Sequence, residues 1–180
     1  MFEEVHMRVF ISFAEQDADA AAKLETALRK LNIEAWSTLD LRSGEDLSEA
    51  VDKASATADG FIFLLGAGAL ATPHLLTEWR ALLRNDSESN KALIPVINSR
   101  DSSPGELPPF LRNRQPLILT TNYDALVERV HHLLEHPNET RNHHLDEEGK
   151  VDQAHRLEEL KQFALALKDD TAGTATVEHR

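Results

Sequence analysis

Five short apolar runs, separated by stretches with helical spacing, constrain this chain more than any other feature. Residues 7–13 (MRVFISF), 33–36 (IEAW), 60–65 (GFIFLL), 92–97 (ALIPVI) and 116–119 (PLIL) are strand-length and rich in β-branched and aromatic residues. Runs without polar alternation read as strands buried on both faces. GFIFLL is the most apolar and is predicted to be central, while Pro95 places its strand near an edge or at a bulge. Between them, Ala21, Leu24, Leu28 and Leu31 recur at spacings of three, four and three. Leu47, Val51, Ala54 and Ala58 share a second helical face, Leu75, Leu76, Trp79, Leu82 and Leu83 a third, and Leu126, Val130, Leu133 and Leu134 a fourth. Asp17 offers an N-cap to the first helix, Asn32 ends it, and Asn122 or Asp124 caps the last. Strands alternating with helices imply parallel pairing, right-handed crossovers and helices on both faces. The fold class is therefore α/β: a doubly wound, flavodoxin-like five-stranded sheet of order 2-1-3-4-5.

The chain of 180 residues, 41% hydrophobic, suits one core with an appendage. Residues 1–135 form the expected domain and 136–150, polar and His-rich, a linker. Leu157, Leu160, Ala164 and Leu167 then predict an amphipathic C-terminal helix over 151–168, packed on its own domain or on a partner, before a disordered tail at 169–180. A net charge of -12 with no Lys/Arg cluster argues against nucleic acid as a partner. Without cysteine, disulfides, thiolate zinc sites and Cys nucleophiles are excluded. The first residues lack the apolar segment of a signal peptide, and residues 61–71 are too short to span a bilayer, so the expectation is a cytoplasmic protein with no membrane partner.

In doubly wound sheets, ligands sit beyond the carboxyl ends of the strands. Groups near those ends that can do acid–base or electrostatic work are Glu15 and Asp17, then Asp40, Arg42, Glu45 and Asp46, and Glu78 on the third helix. By periodicity alone Glu78 reads as a solvated helix-face acid. Beside Leu75, Leu76 and Trp79, however, a carboxylate would be desolvated and its pKa raised. Gly66 and Gly68 precede that helix, where backbone N–H groups favour an anion, yet GAGALA matches neither a P-loop nor the dinucleotide fingerprint. Glycines there equally permit a tight turn. The histidines His131, His132, His136, His143, His144 and His155 read as helix-surface and linker residues, and no metal ligand set is expected. Ser12 lacks the nucleophile elbow and reads as a capping residue of the first loop.

The stretch Val9-Phe10-Ile11-Ser12-Phe13 followed by Asp17 resembles the first box of TIR (Toll/interleukin-1 receptor) domains. Residues 36–47 (WSTLDLRSGEDL) are similar to that family's loop after the second strand, 60–65 to its apolar third strand, and 69–78 to the segment ending in its helix glutamate. The resemblance covers roughly residues 7–135. It implies either an interaction module or an enzyme of the bacterial NAD-cleaving type, with NAD+ as substrate and no cofactor. In the enzymes the glutamate at the position of Glu78 is catalytic. The resemblance also places Ser12 and Phe13 at the pocket floor, Trp36 nearby, and Asp40, Arg42 and Gly44 on a mobile covering loop; Gly66 and His74 fall on substrate-side positions. The sequence departs from the family pattern at His74 and Leu75, at Ser43 in place of a loop proline, and at Gly66 in place of a serine.

The leading expectation is a TIR NAD+ glycohydrolase or cyclase in bacterial anti-phage defence. It would yield nicotinamide and ADP-ribose or a cyclic isomer, self-associate through TIR surfaces and signal to a separate effector protein that senses the product. A non-catalytic TIR scaffold is the alternative from another class. A nucleoside deoxyribosyltransferase-like enzyme, which also uses a glutamate for N-glycosidic chemistry, is a third.

Overall fold

The computed structural model describes residues 6–41, 44–66, 69, 73–85, 90–98 and 107–141. Among them the elements run β1 (Met7–Ser12), α1 (Ala18–Arg29), β2 (Ile33–Trp36), α2 (Leu47–Thr57), β3 (Gly60–Leu65), α3 (Pro73–Asn85), β4 (Ala92–Asn98), β5 (Leu117–Leu119) and α4 (Tyr123–Glu135). All strand pairs are parallel and the sheet order is β2-β1-β3-β4-β5, the flavodoxin-like order that the alternation predicts. The expected C-terminal helix at 151–168 and tail at 169–180 lie outside the described residues.

The strand pleat divides the core in two. Val9 and Ile11 of β1, with Ile62 and Leu64 of β3, pack beneath α1 and α4. Phe10 of β1, with Phe61, Phe63 and Leu65 of β3, faces α2 and α3. Successive side chains of a strand point to opposite faces, so an unbroken apolar run is what a sheet covered on both sides requires. On the α2/α3 side, Trp79, Phe63 and Phe110 meet edge to face with centroids 5.3–6.1 Å apart.

Several local expectations change in the folded chain. β4 does lie near an edge, next to the edge strand β5, and its pairing with β5 begins only at Val96↔Leu117, so at Pro95 it has a neighbour on the β3 side alone. The missing N–H therefore falls where the strand is locally an edge. Leu31 lies beyond the end of α1 and is exposed, because the helix stops at Arg29 and Asn32 turns the chain with φ 57°. Asp46 and Asn122 cap α2 and α4 through the N–H groups of Glu49 and Ala125. Asp17 occupies the N-cap position of α1 without capping it.

The chain does not leave the module at Glu135. A 3-10 turn, Pro137–Thr140, follows α4, and the buried Arg114 donates through Nη1 to Thr140 Oγ1 at 2.6 Å. Gln115 N–H donates to the Thr140 carbonyl, and Arg114 bridges to Arg141. An isolated arginine in the polar stretch before β5 thus holds residues 136–141, expected as linker, on the domain.

Candidate active site around Glu78

The sheet's carboxyl edge brings Ser12, at the end of β1, under the second turn of α3. There Trp79 Nε1 donates to Ser12 Oγ at 2.8 Å, both residues being buried. Trp79 is fixed by its ring contacts with Phe63 and Phe110, and Glu78 precedes it on the same helix. Glu78 is only 1% exposed, so the helix-face reading from periodicity fails. The periodicity missed this because the site is closed by strand-end residues far away in sequence, which no helical pattern encodes.

Burial pushes the Glu78 carboxyl up from 4.5 to about 7; the hydroxyls of Ser12 and Thr38 oppose that rise only in part. Among the described residues, neither carboxyl oxygen has a hydrogen-bond partner of regular geometry. Since Ser12 Oγ already accepts from Trp79, its own proton is free to turn toward an ionised Glu78. A carboxyl poised near neutrality in an apolar setting can act as a general base, or stabilise a cationic centre that enters beside it. Thr38 is a neighbour that sequence reasoning did not single out. Its signal was its position, immediately past β2 at the carboxyl edge.

The other expected site residues do not all converge here. Phe13 packs into the core on the α1/α4 side, opposite Trp79, rather than on a pocket floor. Trp36 is half-buried against Phe10, with ring centroids 5.1 Å apart. Asp40 is exposed and turns back on its own 3-10 turn, accepting from Ser37 N–H at 2.8 Å. Gly44 has φ 95°, a left-handed conformation that side-chain-bearing residues rarely adopt, in open space. Trp36, Asp40 and Gly44 line an open groove of about 810 Å³ between α2 and the β1–β2 edge, which neither Ser12 nor Glu78 lines. Arg42, and the side chain of His74 in the first turn of α3, lie outside the described residues.

Gly66 is buried at the end of β3, where an added Cβ would overlap the Asp17 carboxylate. Asp17 itself is 3% exposed and accepts from Asn98 Nδ2 at 3.3 Å, which ties the ends of β1, β3 and β4 together. That is why its carboxylate is unavailable as a cap. Elsewhere, three groups able to ligate a metal, His132, His136 and Glu139, gather at the end of α4, where none was expected. No described helix is long and apolar enough to cross a membrane.

Comparison with solved structures relates this architecture to others. The TIR domain of the Toll-related receptor TRR-2 from Hydra magnipapillata is similar with a TM-score of 0.55 and 17% identity, covering 71% of this chain and 97% of that one. The TIR domains of the activated Roq1 resistosome that directly recognises the pathogen effector XopQ align with a TM-score of 0.49 and 16% identity, covering 88% of this chain and 84% of that one. No curated protein sequence matches significantly. The family model described as TIR domain matches residues 9–134, from within β1 to the last turn of α4, and on that match the chain belongs to the TIR domain family.

Proposed function

We propose that this chain is a TIR-domain NAD+ glycohydrolase or cyclase that breaks the nicotinamide–ribose bond, with Glu78 as its catalytic residue. The single observation that carries the reading is the Glu78 carboxyl, buried at the carboxyl edge with its pKa raised to about 7. Breaking a bond to a pyridinium leaving group passes through an oxocarbenium-like transition state. An ionised carboxylate in low dielectric stabilises that charge more than it would in water, and it can accept from the ribose hydroxyls. Nicotinamide leaves as a neutral molecule, so no second carboxyl is required as a strong acid. Ser12 then serves as a positioning residue, braced by Trp79. The product is ADP-ribose or a cyclic isomer, and the cellular setting is cytoplasmic anti-phage signalling through an effector protein that responds to it.

Because Glu78 is buried in the described state, substrate entry requires a rearrangement around it, and self-association through TIR surfaces is the proposed trigger. Incubation of the purified chain with NAD+, alone and after induced assembly, tests this directly. Nicotinamide release that is lost in Glu78→Gln supports the proposal. No release in either state, or unchanged turnover in the variant, sinks it. The same closure favours a second reading, a scaffold that associates through the 38–46 segment and never binds NAD+; specific self-association without turnover would select it.

A further inference from the structure

The sequence offers His132 and His136 as surface residues, but His132 lies in the last turn of α4 and His136, four residues on, is the C-cap that ends it. Their rings stack with centroids 4.6 Å apart and 25° between planes. The Pro137–Thr140 turn then brings Glu139 back onto them, so that one ligand atom from each of the three lies within 4.8 Å of the others. We propose that His132, His136 and Glu139 form a binding site for one divalent ion of the zinc class at the end of α4, separate from Glu78. Ligand atoms about 2.0–2.1 Å from a tetrahedral ion stand roughly 3.3 Å from one another, which small rotations of these side chains reach. Two imidazoles and a carboxylate, with water in the fourth position, suit that ion and select against magnesium and calcium, which prefer all-oxygen ligation.

Two further features favour ligation over a simple ion-pair cluster. His136 Nδ1 lies 3.1 Å from the His132 carbonyl, which can only accept, so Nδ1 carries the proton and Nε2 keeps its lone pair. A backbone carbonyl holding one ring nitrogen while the other faces the ion is the usual support of a metal-binding histidine. Glu139 accepts from His132 Nε2 at 2.7 Å, so a carboxylate oxygen already faces that ring nitrogen. On binding, the His132 ring gives up its Nε2 proton to solvent or to its own Nδ1, and the ion takes that place between ring and carboxylate. The backbone beside Glu139 is anchored already, since Thr140 is held by the buried Arg114. The carbonyl end of α4 and the chain's net charge of -12 favour a cation, against which stands Arg129, exposed and 4.0 Å from Glu139. His131 pairs with Glu135 and is not part of the set.

The test is titration of the full chain with zinc chloride by calorimetry, and with cobalt(II) chloride by visible absorption. The expected result is one tight site and the intense d–d bands of a four-coordinate cobalt ion. His132→Ala/His136→Ala should weaken binding at least about 100-fold, Glu139→Gln about 10-fold, and His143→Ala/His144→Ala not at all. Zinc should also raise the thermal midpoint of the parent chain and not that of the His132/His136 double variant. Equal affinity in that double variant overturns the proposal. So does a weak six-coordinate cobalt spectrum, or loss of the site on replacing His143 and His144.

Discussion

The indole N–H of Trp79 donates to Ser12 Oγ across the α3–β1 boundary, at 2.8 Å and wholly out of solvent. The bond joins the third helix to the sheet's carboxyl edge at the residue next to Glu78. Trp79→Phe removes the donor and leaves a small void, and should cost about 2–4 kcal/mol in urea unfolding. A double-mutant cycle with Ser12→Ala should return a coupling of about 1 kcal/mol; additive losses would mean that the bond contributes nothing of its own.

Glu78 makes stability depend on pH in a definite direction. Its folded pKa, about 7, is raised above the ordinary 4.5, so folding favours the protonated form. The stabilisation relative to an ionised carboxylate is full below pH 4.5 and is lost as pH rises through about 7. Glu78→Gln should therefore gain on the parent chain across that window, reaching the order of 3 kcal/mol above it. The measurement is the difference in unfolding free energy from pH 4 to 9. A difference that stays flat would place the carboxyl at its ordinary pKa.

If Glu78 works as the ionised carboxylate in NAD+ cleavage, kcat/KM should climb with pH and level off above about 7, the free-protein pKa. The nicotinamide cation stabilises the anion in the complex, so the midpoint in kcat should fall below that in kcat/KM. Glu78→Gln should lower turnover by at least about 10²–10³-fold. A profile that falls with rising pH would instead assign Glu78 the role of proton donor.

Gly66→Ala forces a methyl into the Asp17 carboxylate and should break its bond to Asn98, at about 1–3 kcal/mol. Adding Asp17→Ala removes the obstacle, so the double variant should lose less than the sum of the two single ones. Strict additivity in thermal unfolding would show that the close approach is relieved some other way.

Thr140→Val keeps the shape of the side chain but deletes the acceptor for Arg114 in a buried setting, and should cost about 1–3 kcal/mol. Hydrogen exchange should then quicken at Gln115, whose N–H is bonded to the Thr140 carbonyl. Unchanged protection there would show that residues 136–141 are held independently of Arg114.

The sheet was legible because parallel strands covered on both faces must be apolar throughout, as GFIFLL is. The helices followed from spacing, with Asp46 and Asn122 supplying regular caps. The site was legible only by position. Glu78 and Ser12 do meet, but the burial of Glu78 depends on residues from two other elements. Asp17 looks like a cap in sequence because nothing local reveals that Asn98, eighty-one residues away, claims its carboxylate. Phe13 follows Ser12 directly and so points to the opposite side of the sheet, an alternation that a motif read as a block conceals. The gathering of Glu139 with His132 depends on a turn after α4 whose anchor, Arg114, lies in a different segment.

Both margins of the sheet are short: β2 offers four residues and β5 three. On β2, Glu34 is exposed and paired with Arg8 of the neighbouring strand, which sets charge along the border where another chain would align. A blunt, charged border of this kind makes a poor template for edge-to-edge growth of a continuous sheet along β2, whereas β5 is short but apolar, with Ile118 exposed. On the β2 side, ordered stacking of this module thus has to be written in side chains of its helices and loops, where one substitution can dissolve an assembly without touching the fold.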